Sequence, residues 1–437
     1  MFRRLLFLGL LLRVAALPLA GTEDVQVWKT WSYGAVNDIT SMYGIGGQPP
    51  MRGVVSWGDI HTTVDYPPGT LAALAIVGHV YRVLDPAFSD SRLLTAVIKL
   101  AILLMDALAC WLLWALMQRM VSKPAARIAA LAYWLNPAVI LDGAILGYLD
   151  PWMLVPILSA LIAASGGSAA LCGAALALGV LLKLQAIFAI PVAALLLWHV
   201  SPRPFRASAV AAGTAVLVCS LALLPFVLRD ALPNVAQGVG SLFRHGMLSA
   251  TAANAWWIIT WLLRASYAAA DLGAWAAWTM PVRILDISRF IELGYPNPRP
   301  IGMVLVAGAA GWGFYRAHLA VKRGATPVMA LAAGAFLLHA YFVLAAQVHE
   351  NHLFLALPLL AAAAAADVRY RRVALAISIA MALNLLLFYG IGRDFRPLPR
   401  TATVVDTTVL LAIAQVAIFI WHGRVLYRAT MAPGTSD

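Results

Sequence analysis

The sequence has little charge and little cysteine. Charged residues make up only 11% of its 437 residues, whereas 62% are hydrophobic, and the mean hydropathy is +0.83. Soluble domains carry about a quarter charged residues, so the composition excludes a soluble globular protein. The three cysteines all lie in apolar segments without metal-ligand spacing, which indicates neither a disulfide framework nor a zinc site.

The motifs of several enzyme classes are also absent. The sequence has no phosphate-cradling glycine loop, no paired zinc ligands and no nucleophile elbow. It also lacks the alternation of polar and apolar residues that strands of a transmembrane barrel show. Any reaction therefore uses a lipid-soluble or outward-facing substrate, and no metal cofactor is expected.

What the sequence does have is apolar runs along its whole length. Many are long enough, at about 20 residues, to cross a hydrocarbon core. The pattern predicts an all-α, polytopic helical membrane protein with roughly 11–13 transmembrane helices in a single domain, residues 1–437. Leu71–Leu84 is slightly short for a span, so it either crosses or forms a re-entrant element.

The basic residues cluster in the short connections between apolar runs, although the net charge of +12 could also suggest nucleic acid. This placement follows the positive-inside rule and argues for the lipid bilayer as partner, with no nucleic acid. Arg3 and Arg4 then place the N-terminus in the cytoplasm. The first apolar segment resembles a signal peptide, but Arg13 interrupts it, which favours a membrane anchor.

The first outward-facing region, residues 21–92, is the most acidic part of the chain. Between Gly21 and Gly69 it holds five of the 19 acidic residues. Asp24 follows the first helix and precedes Trp28 and Trp31, so it can take a proton from a hydroxyl as a general base. The alternative is a solvated loop acid beside interfacial tryptophans.

Two further segments carry polar residues between apolar runs. In Val64–Gly69 the two prolines predict an extended entry to a helix, which would hold Asp65 and Tyr66 at a rigid rim; the alternative is a simple helix-start signal. In Gln347–His352, His349 and Glu350 can bind a phosphate and orient a sugar, because ionisable groups at membrane depth usually serve a site. A structural turn is the alternative there.

Other polar residues are predicted on the same outward face. Lys183 can reach the membrane interface or neutralise a lipid phosphate, and Asp150 is either a helix-end acid or a substrate contact. Lys99 and Asp106, seven residues apart on one helix face, are interpreted as a structural pair. The remaining substrate-binding candidates are Gln185, Arg244 and Asn254.

The order of these motifs resembles the GT-C superfamily of polyprenyl-phosphate-sugar-dependent glycosyltransferases. It is most similar to the dolichyl-phosphate-glucose-dependent glucosyltransferases of N-glycan precursor assembly. Those enzymes carry an acidic residue and a Trp in the first outer loop, then D-Y-P-P, then V-H-E-K. In this chain the first motif is matched by Asp24 with Trp31, the second by Asp65–Pro68 and the third by Val348–Glu350. Lys183 with Gln185, and Asn254 within AANAWW, match internal elements. Asn351 departs from the family's Lys, and GYLDPW is closer to bacterial relatives.

The resemblance implies a GT-C-like fold with a large first outer loop and an inverting transferase without a metal. It would move a hexose, glucose or mannose, from a polyprenyl monophosphate donor to a lipid-linked or glycan acceptor. Asp24 would be the base, and His349 and Glu350 would lie at the donor site. The expected location is a bacterial inner membrane, multi-pass, with the site facing the periplasm. The alternatives are a lipid-linked glycan flippase and a ligase that uses polyprenyl diphosphate donors.

Overall fold

The computed structural model describes residues 1–44, 53–242, 246–272, 280–395, 397, 400 and 405–431. Helices dominate these residues, and one short hairpin supplies the regular strands found among them. The predicted fold class, an all-α polytopic membrane protein, is confirmed. Arg244, one of the predicted substrate-binding residues, lies outside the described residues.

The chain forms two compact units. The first comprises residues 1–116, 142–245 and 392–394. Its main elements are α1 (Phe2–Ala16), α2 (Asp24–Asp38), β1 (Val54–Trp57), β2 (Ile60–Thr63), α3 (Pro68–Leu84), α4 (Arg92–Met120), α7 (Asp150–Ser165), α8 (Ala169–Leu182), α9 (Ile190–Val200), α10 (Pro204–Val227) and α11 (Leu232–Ser241). Short 3₁₀ or π turns occupy Ile39–Ser41, Ile140–Leu146, Leu184–Ala189 and Gly392–Asp394.

The second unit comprises residues 117–141, 246–391 and 395–437. Its elements are α5 (Lys123–Trp134), α6 (Pro137–Val139), α12 (Ala255–Leu272), α13 (Ile287–Glu292), α14 (Pro298–Lys322), α15 (Val328–Leu344), α16 (Ala356–Ala366), α17 (Arg371–Tyr389) and α18 (Thr407–Met431), with 3₁₀ turns at Glu350–Leu353 and Val368–Tyr370. The alanine run of α16 is buried from Ala361 to Ala364, as close helix packing through small residues predicts.

Four helices of the described residues are long and apolar enough to cross a membrane alone. They are Arg92–Met120, Pro204–Val227, Val368–Tyr389 and Thr407–Met431, and a bent pair over residues 123–146 gives a fifth if it is one span. Several shorter apolar helices, α3 among them, fall below this length. The range of 11–13 spans and the crossing of α3 therefore stay predictions.

The first outer region is more ordered than a loop, and this corrects the sequence interpretation. Residues 21–92 contain α2, the hairpin of β1 and β2, and α3. Helix α2 forms because Val25, Trp28 and Trp31 recur at helical spacing and are all buried, while Asp24 in its first turn complements the helix dipole. Gly58, at a φ of 57°, begins the tight turn of the hairpin, a conformation that favours glycine.

The entry to α3 is as the prolines predict. Pro67 is extended, with φ −63° and ψ 159°, and the helix begins at Pro68. At Gly69 a Cβ would lie 2.6 Å from the carbonyl oxygen of Leu181. The glycine therefore permits the backbone of α3 to touch the end of α8, which brings Tyr66 close to the residues that follow α8.

The predicted pair of Lys99 and Asp106 is wrong. Asp106 instead accepts a 2.5 Å hydrogen bond from Nε of Arg13, and both side chains are buried. The Lys99 ammonium donates to the carbonyl oxygens of Ile145, at 2.7 Å, and Ala16, at 3.3 Å. The residue that interrupts the first apolar segment therefore ties α1 to α4, because a buried charge is costly unless an opposite charge lies beside it.

Candidate functional site

Three aromatic rings pack together beside the start of α2 in the first unit. The ring centroids of Trp28 and Trp31 lie 5.1 Å apart, and that of Tyr66 lies 5.3 and 5.6 Å from them, all edge to face. Both tryptophans are 2% exposed, and Nε1 of Trp28 donates to the carbonyl oxygen of Gly147. They are part of the interior of this unit, which holds the Tyr66 ring in place.

A buried ion pair lies against the Tyr66 ring. Nζ of Lys183 is 2.7 Å from Oδ1 of Asp150, with the side chains 9% and 0% exposed, and 5.6 Å from the centroid of the ring. Asp150 is the first residue of α7, and Lys183 follows the last residue of α8 in an extended conformation. Asp150 is thus a helix-end acid paired with Lys183, which therefore has a counter-ion. The alternative role of Asp150 as a substrate contact stays a prediction.

The Tyr66 hydroxyl stays protonated over the whole physiological range. Burial raises its pKa well above the usual value; the Lys183 ammonium opposes this rise, and the carboxylates of Asp150, Asp24 and Asp65 add to it. Tyr66 can therefore donate a hydrogen bond. Asp24 precedes Trp28 by one helical turn and Asp65 directly precedes Tyr66, so both are close along the chain to residues of this aromatic group.

Asp24 itself is half-buried at the first residue of α2. The segment before it is fixed by the backbone, because the amide of Thr22 donates to Leu146 and Gly21 adopts a φ of 77°. The neighbouring residue Glu23 is exposed, and its Oε1 lies 3.3 Å from Nε of Arg393. Asp24 is therefore a half-buried carboxylate at a helix start with a fixed backbone, and its role in a site stays a prediction. Gln185 is partly buried, and its Oε1 has no hydrogen-bond partner among the described residues.

The second unit holds a polar cluster around Glu350. Glu350 is 2% exposed, and its Oε2 accepts a 2.5 Å hydrogen bond from the hydroxyl of Thr251. The Tyr389 hydroxyl lies 3.3 Å from the Thr251 hydroxyl oxygen. The side-chain amide of Asn384 donates to the Thr251 carbonyl oxygen. Thr251, Asn384 and Tyr389 were missed from the sequence, because Thr251 lies far along the chain from Asn384 and Tyr389 of α17 and no motif links the two segments.

The backbone beside Glu350 is strained. Thr251 has a φ of 62° and Gln347 a φ of 65°, a region that a β-branched residue rarely adopts. Such strain costs about 1–3 kcal/mol per residue and concentrates at functional sites. His349 is half-buried, and its backbone forms bridges with Ala250 and Thr251. The polar segment Gln347–His352 is thus held by a second chain segment.

Asn254 has a structural role in this arrangement. Its Oδ1 accepts from the amide of Trp257, as a helix N-cap does, and its Nδ2 donates to the carbonyls of Phe342 and Ala345. The indole of Trp256 also donates to the Leu344 carbonyl. The motif AANAWW therefore joins the start of α12 to the end of α15, where uncapped carbonyls need donors.

Thr251→Val should lower the free energy of unfolding by about 1–3 kcal/mol. The substitution keeps the shape of the side chain but removes the hydroxyl that Glu350 accepts from, and a buried acceptor that loses its donor carries its desolvation cost. The measurement is thermal unfolding of the purified chain in detergent. Thr214→Val is the matched control, because that exposed hydroxyl bonds only within its own helix. Equal midpoints for the two variants would contradict the prediction.

Solved structures that resemble this chain include two membrane enzymes. The oligosaccharyltransferase of Archaeoglobus fulgidus, with a tethered acceptor peptide, is 15% identical at a TM-score of 0.45, over 98% of this chain and 55% of that one. ArnT from Cupriavidus metallidurans, bound to undecaprenyl phosphate, is 13% identical at a TM-score of 0.42, over 94% and 78%. The chain thus spans about half the length of the archaeal enzyme. No curated protein matches the sequence.

A family model gives the assignment. The model described as GPI transamidase subunit PIG-U matches residues 62–297, just over half of the chain. This match overturns the predicted polyprenyl-phosphate-hexose-dependent glycosyltransferase, together with its glucosyl- or mannosyltransferase activity in glycolipid biosynthesis. Short motifs such as D-Y-P-P misled the prediction because helix entry and packing alone require such residues. The chain belongs to the PIG-U family of GPI transamidase subunits.

Proposed function

We propose that this chain is a membrane-embedded subunit of a GPI transamidase assembly and contributes binding surface, with catalytic residues supplied by another chain. The observation that carries this proposal is the family match over residues 62–297. The matched region includes the cluster of Tyr66, Asp150 and Lys183, and also Thr251. The function thus belongs to an assembly, and the polar clusters serve binding and orientation.

The cysteines support a non-catalytic role. An amide exchange that passes through a covalent intermediate needs an accessible, activated nucleophile. Cys110 and Cys172 are buried within α4 and α8, and Cys219 lies within the apolar helix α10. Reactive cysteines are partly exposed in an electropositive environment, which these positions do not provide.

The carboxylates of the first unit have a role in this proposal. Asp24 and Asp65 are both half-buried, and the charges of both act on the Tyr66 hydroxyl. Transamidation joins a peptide carbonyl to an amine, and an ammonium group is attracted by paired carboxylates. We propose that Asp24 and Asp65 hold the amine-bearing polar part of the lipid anchor, while Tyr66 donates a hydrogen bond to it.

The other predicted site residues divide by environment. Asp150, Lys183, Asn254 and Glu350 have partners within their own unit and shape the clusters; Gln185, His349 and Arg244 stay predictions for substrate contact. The basic connections support a multi-pass orientation in which Asp24 faces away from the cytoplasm. Asp24 was first interpreted as a general base from its residue type and position. Because the family match overturns the glycosyltransferase, neither that role nor a bacterial inner membrane with a periplasmic site is proposed further.

The test is removal of the chain from the cell that produces it, with a GPI-anchored reporter as readout. Without the chain, the reporter should keep its C-terminal hydrophobic signal, which attachment of the anchor removes, and its mass shows this directly. The tagged full-length chain should restore cleavage and co-purify with the subunit that carries the transamidase nucleophile. Normal anchoring without the chain would overturn the proposed function.

Asp24→Asn with Asp65→Asn tests the role of the two carboxylates separately. The double variant should still co-purify with the assembly but restore less anchored reporter, because the attraction for the amine is lost. Asp59→Asn, at the exposed tip of the hairpin, is the matched control and should restore anchoring fully. Full restoration by the double variant would reject the carboxylate role and leave the subunit assignment intact.

A further inference from the structure

An open cavity of about 500 Å³ lies in the second unit between α14 and α18. It is lined by Trp312, Ile420, Gly423, Arg424, Tyr427 and Arg428. The Trp312 and Ile420 side chains at the cavity are 37% and 51% exposed, and the helix of Ile420 is long and apolar enough to cross a membrane. The cavity thus combines two cationic side chains with apolar and aromatic walls.

The two arginines of this cavity lack a counter-ion in the part of the chain that the structure describes. Neither the Arg424 nor the Arg428 guanidinium has a hydrogen bond or an ion pair there. Both side chains are exposed near the end of α18, and like charges four residues apart on one helix destabilise it. An anion held between the two groups would remove this repulsion.

Further cations surround the cavity. Arg316 lies over the Tyr427 ring at 4.7 Å and donates to the Thr430 hydroxyl, and Arg323 donates to the Thr430 carbonyl. Arg369 donates to the Arg428 carbonyl. The contacts bring three basic connections of the sequence, near residues 316–323, 369–372 and 424–428, to one end of this unit. That end carries a concentrated positive potential.

We propose that this cavity binds an anionic phospholipid, with the lipid phosphate between Arg424 and Arg428 and an acyl chain along Trp312 and Ile420. Guanidinium groups bind phosphate by paired, charge-assisted hydrogen bonds. Basic pockets between membrane helices at the positive end are where anionic headgroups bind. The indole and phenol rings have the amphipathic character of residues at the headgroup level. This site lies outside residues 62–297 and does not depend on the proposed function.

The alternative is that both arginines only extend to water, as long cationic side chains at helix ends do. That behaviour would give no preference between lipids beyond the general attraction of a basic surface. A bound phospholipid instead requires the two guanidinium groups and the apolar wall together. The two cases therefore differ in headgroup selectivity and in the position of the lipid.

The experiment is native mass spectrometry of the full chain in detergent, supplied with equal amounts of phosphatidylglycerol and phosphatidylcholine. The wild-type chain should retain phosphatidylglycerol with about a tenfold to thirtyfold preference, since each of the two arginines adds about a fivefold factor. Arg424→Gln with Arg428→Gln should abolish the preference. Arg203→Gln with Arg206→Gln, exposed on a different basic connection, loses the same charge and should keep it.

A photoactivatable phosphatidylglycerol locates the lipid on the wild-type chain and does not depend on any variant folding. It should label peptides that contain Trp312 or residues 420–428. Equal retention of the two lipids, equal loss in both double variants, or labelling elsewhere would overturn the proposal. Displacement by millimolar inorganic phosphate would also overturn it, because that result assigns a free anion to the site.

Discussion

Lys183→Met should lower the free energy of unfolding by about 3–5 kcal/mol, the cost of leaving a buried charge without its partner. Asp150 is fully buried, and Lys183 lies 2.7 Å from its Oδ1, so the carboxylate would keep its desolvation cost and lose this attraction. The ammonium also faces the Tyr66 ring, and that contact would be lost as well. Thermal unfolding in detergent measures the change.

The double variant Lys183→Met with Asp150→Asn separates charge from packing. It removes both charges, so we expect it to be more stable than the single lysine variant. Arg289→Gln is the control for an ion pair in solvent. Its partner Glu292 and Arg289 itself are 60% and 58% exposed, and such pairs contribute about 0–1 kcal/mol. A single lysine variant as stable as the wild-type chain would reject this account.

Gly173→Ala should destabilise the chain by about 3 kcal/mol, at the upper end of typical overpacking. A Cβ at this position of α8 would overlap the carbonyl oxygen of Ala211 in α10. The two helix backbones would therefore have to separate. Membrane helices approach this closely only where glycine or another small residue lies between them.

Gly213→Ala on α10 is the matched control. Nothing lies within 4 Å of the Cβ that it would add, and alanine favours a helix interior over glycine by about 1 kcal/mol. The same substitution should therefore stabilise the chain at residue 213 and destabilise it at residue 173. Equal thermal midpoints for the two variants would show that α8 and α10 do not pack through Gly173.

Local sequence predicted the features that depend on neighbouring residues. Two prolines fix the backbone before α3, so the extended entry and the helix start at Pro68 could be read from the chain. The buried alanines of α16 follow in the same way from a run of small residues. By contrast, α2 was interpreted as a loop, because its polar residues masked the buried stripe of Val25, Trp28 and Trp31.

The candidate site was predicted as a list of residues and not as an arrangement. Asp24, Asp65 and Tyr66 were predicted on one outward face together with His349 and Glu350. The structure describes the first three in one unit and the last two in the other, and a shared site stays a prediction. The partner of Asp150 is Lys183, 33 residues away, and the partner of Glu350 is Thr251, 99 residues away. Separations of this size carry no local signal, since only packing decides which segments meet.

The sequence by itself determined that this protein lies in a lipid bilayer and that its fold is helical. Its hydrophobic fraction of 62% and its apolar runs require a bilayer, and a bilayer requires helices, because their backbone groups pair within one segment. The tertiary structure alone decided how the few buried charges are neutralised: Arg13 by Asp106 and Lys183 by Asp150. The physical reason is that burial makes an unpaired charge too costly, while the sequence does not show which opposite charge the fold brings beside it.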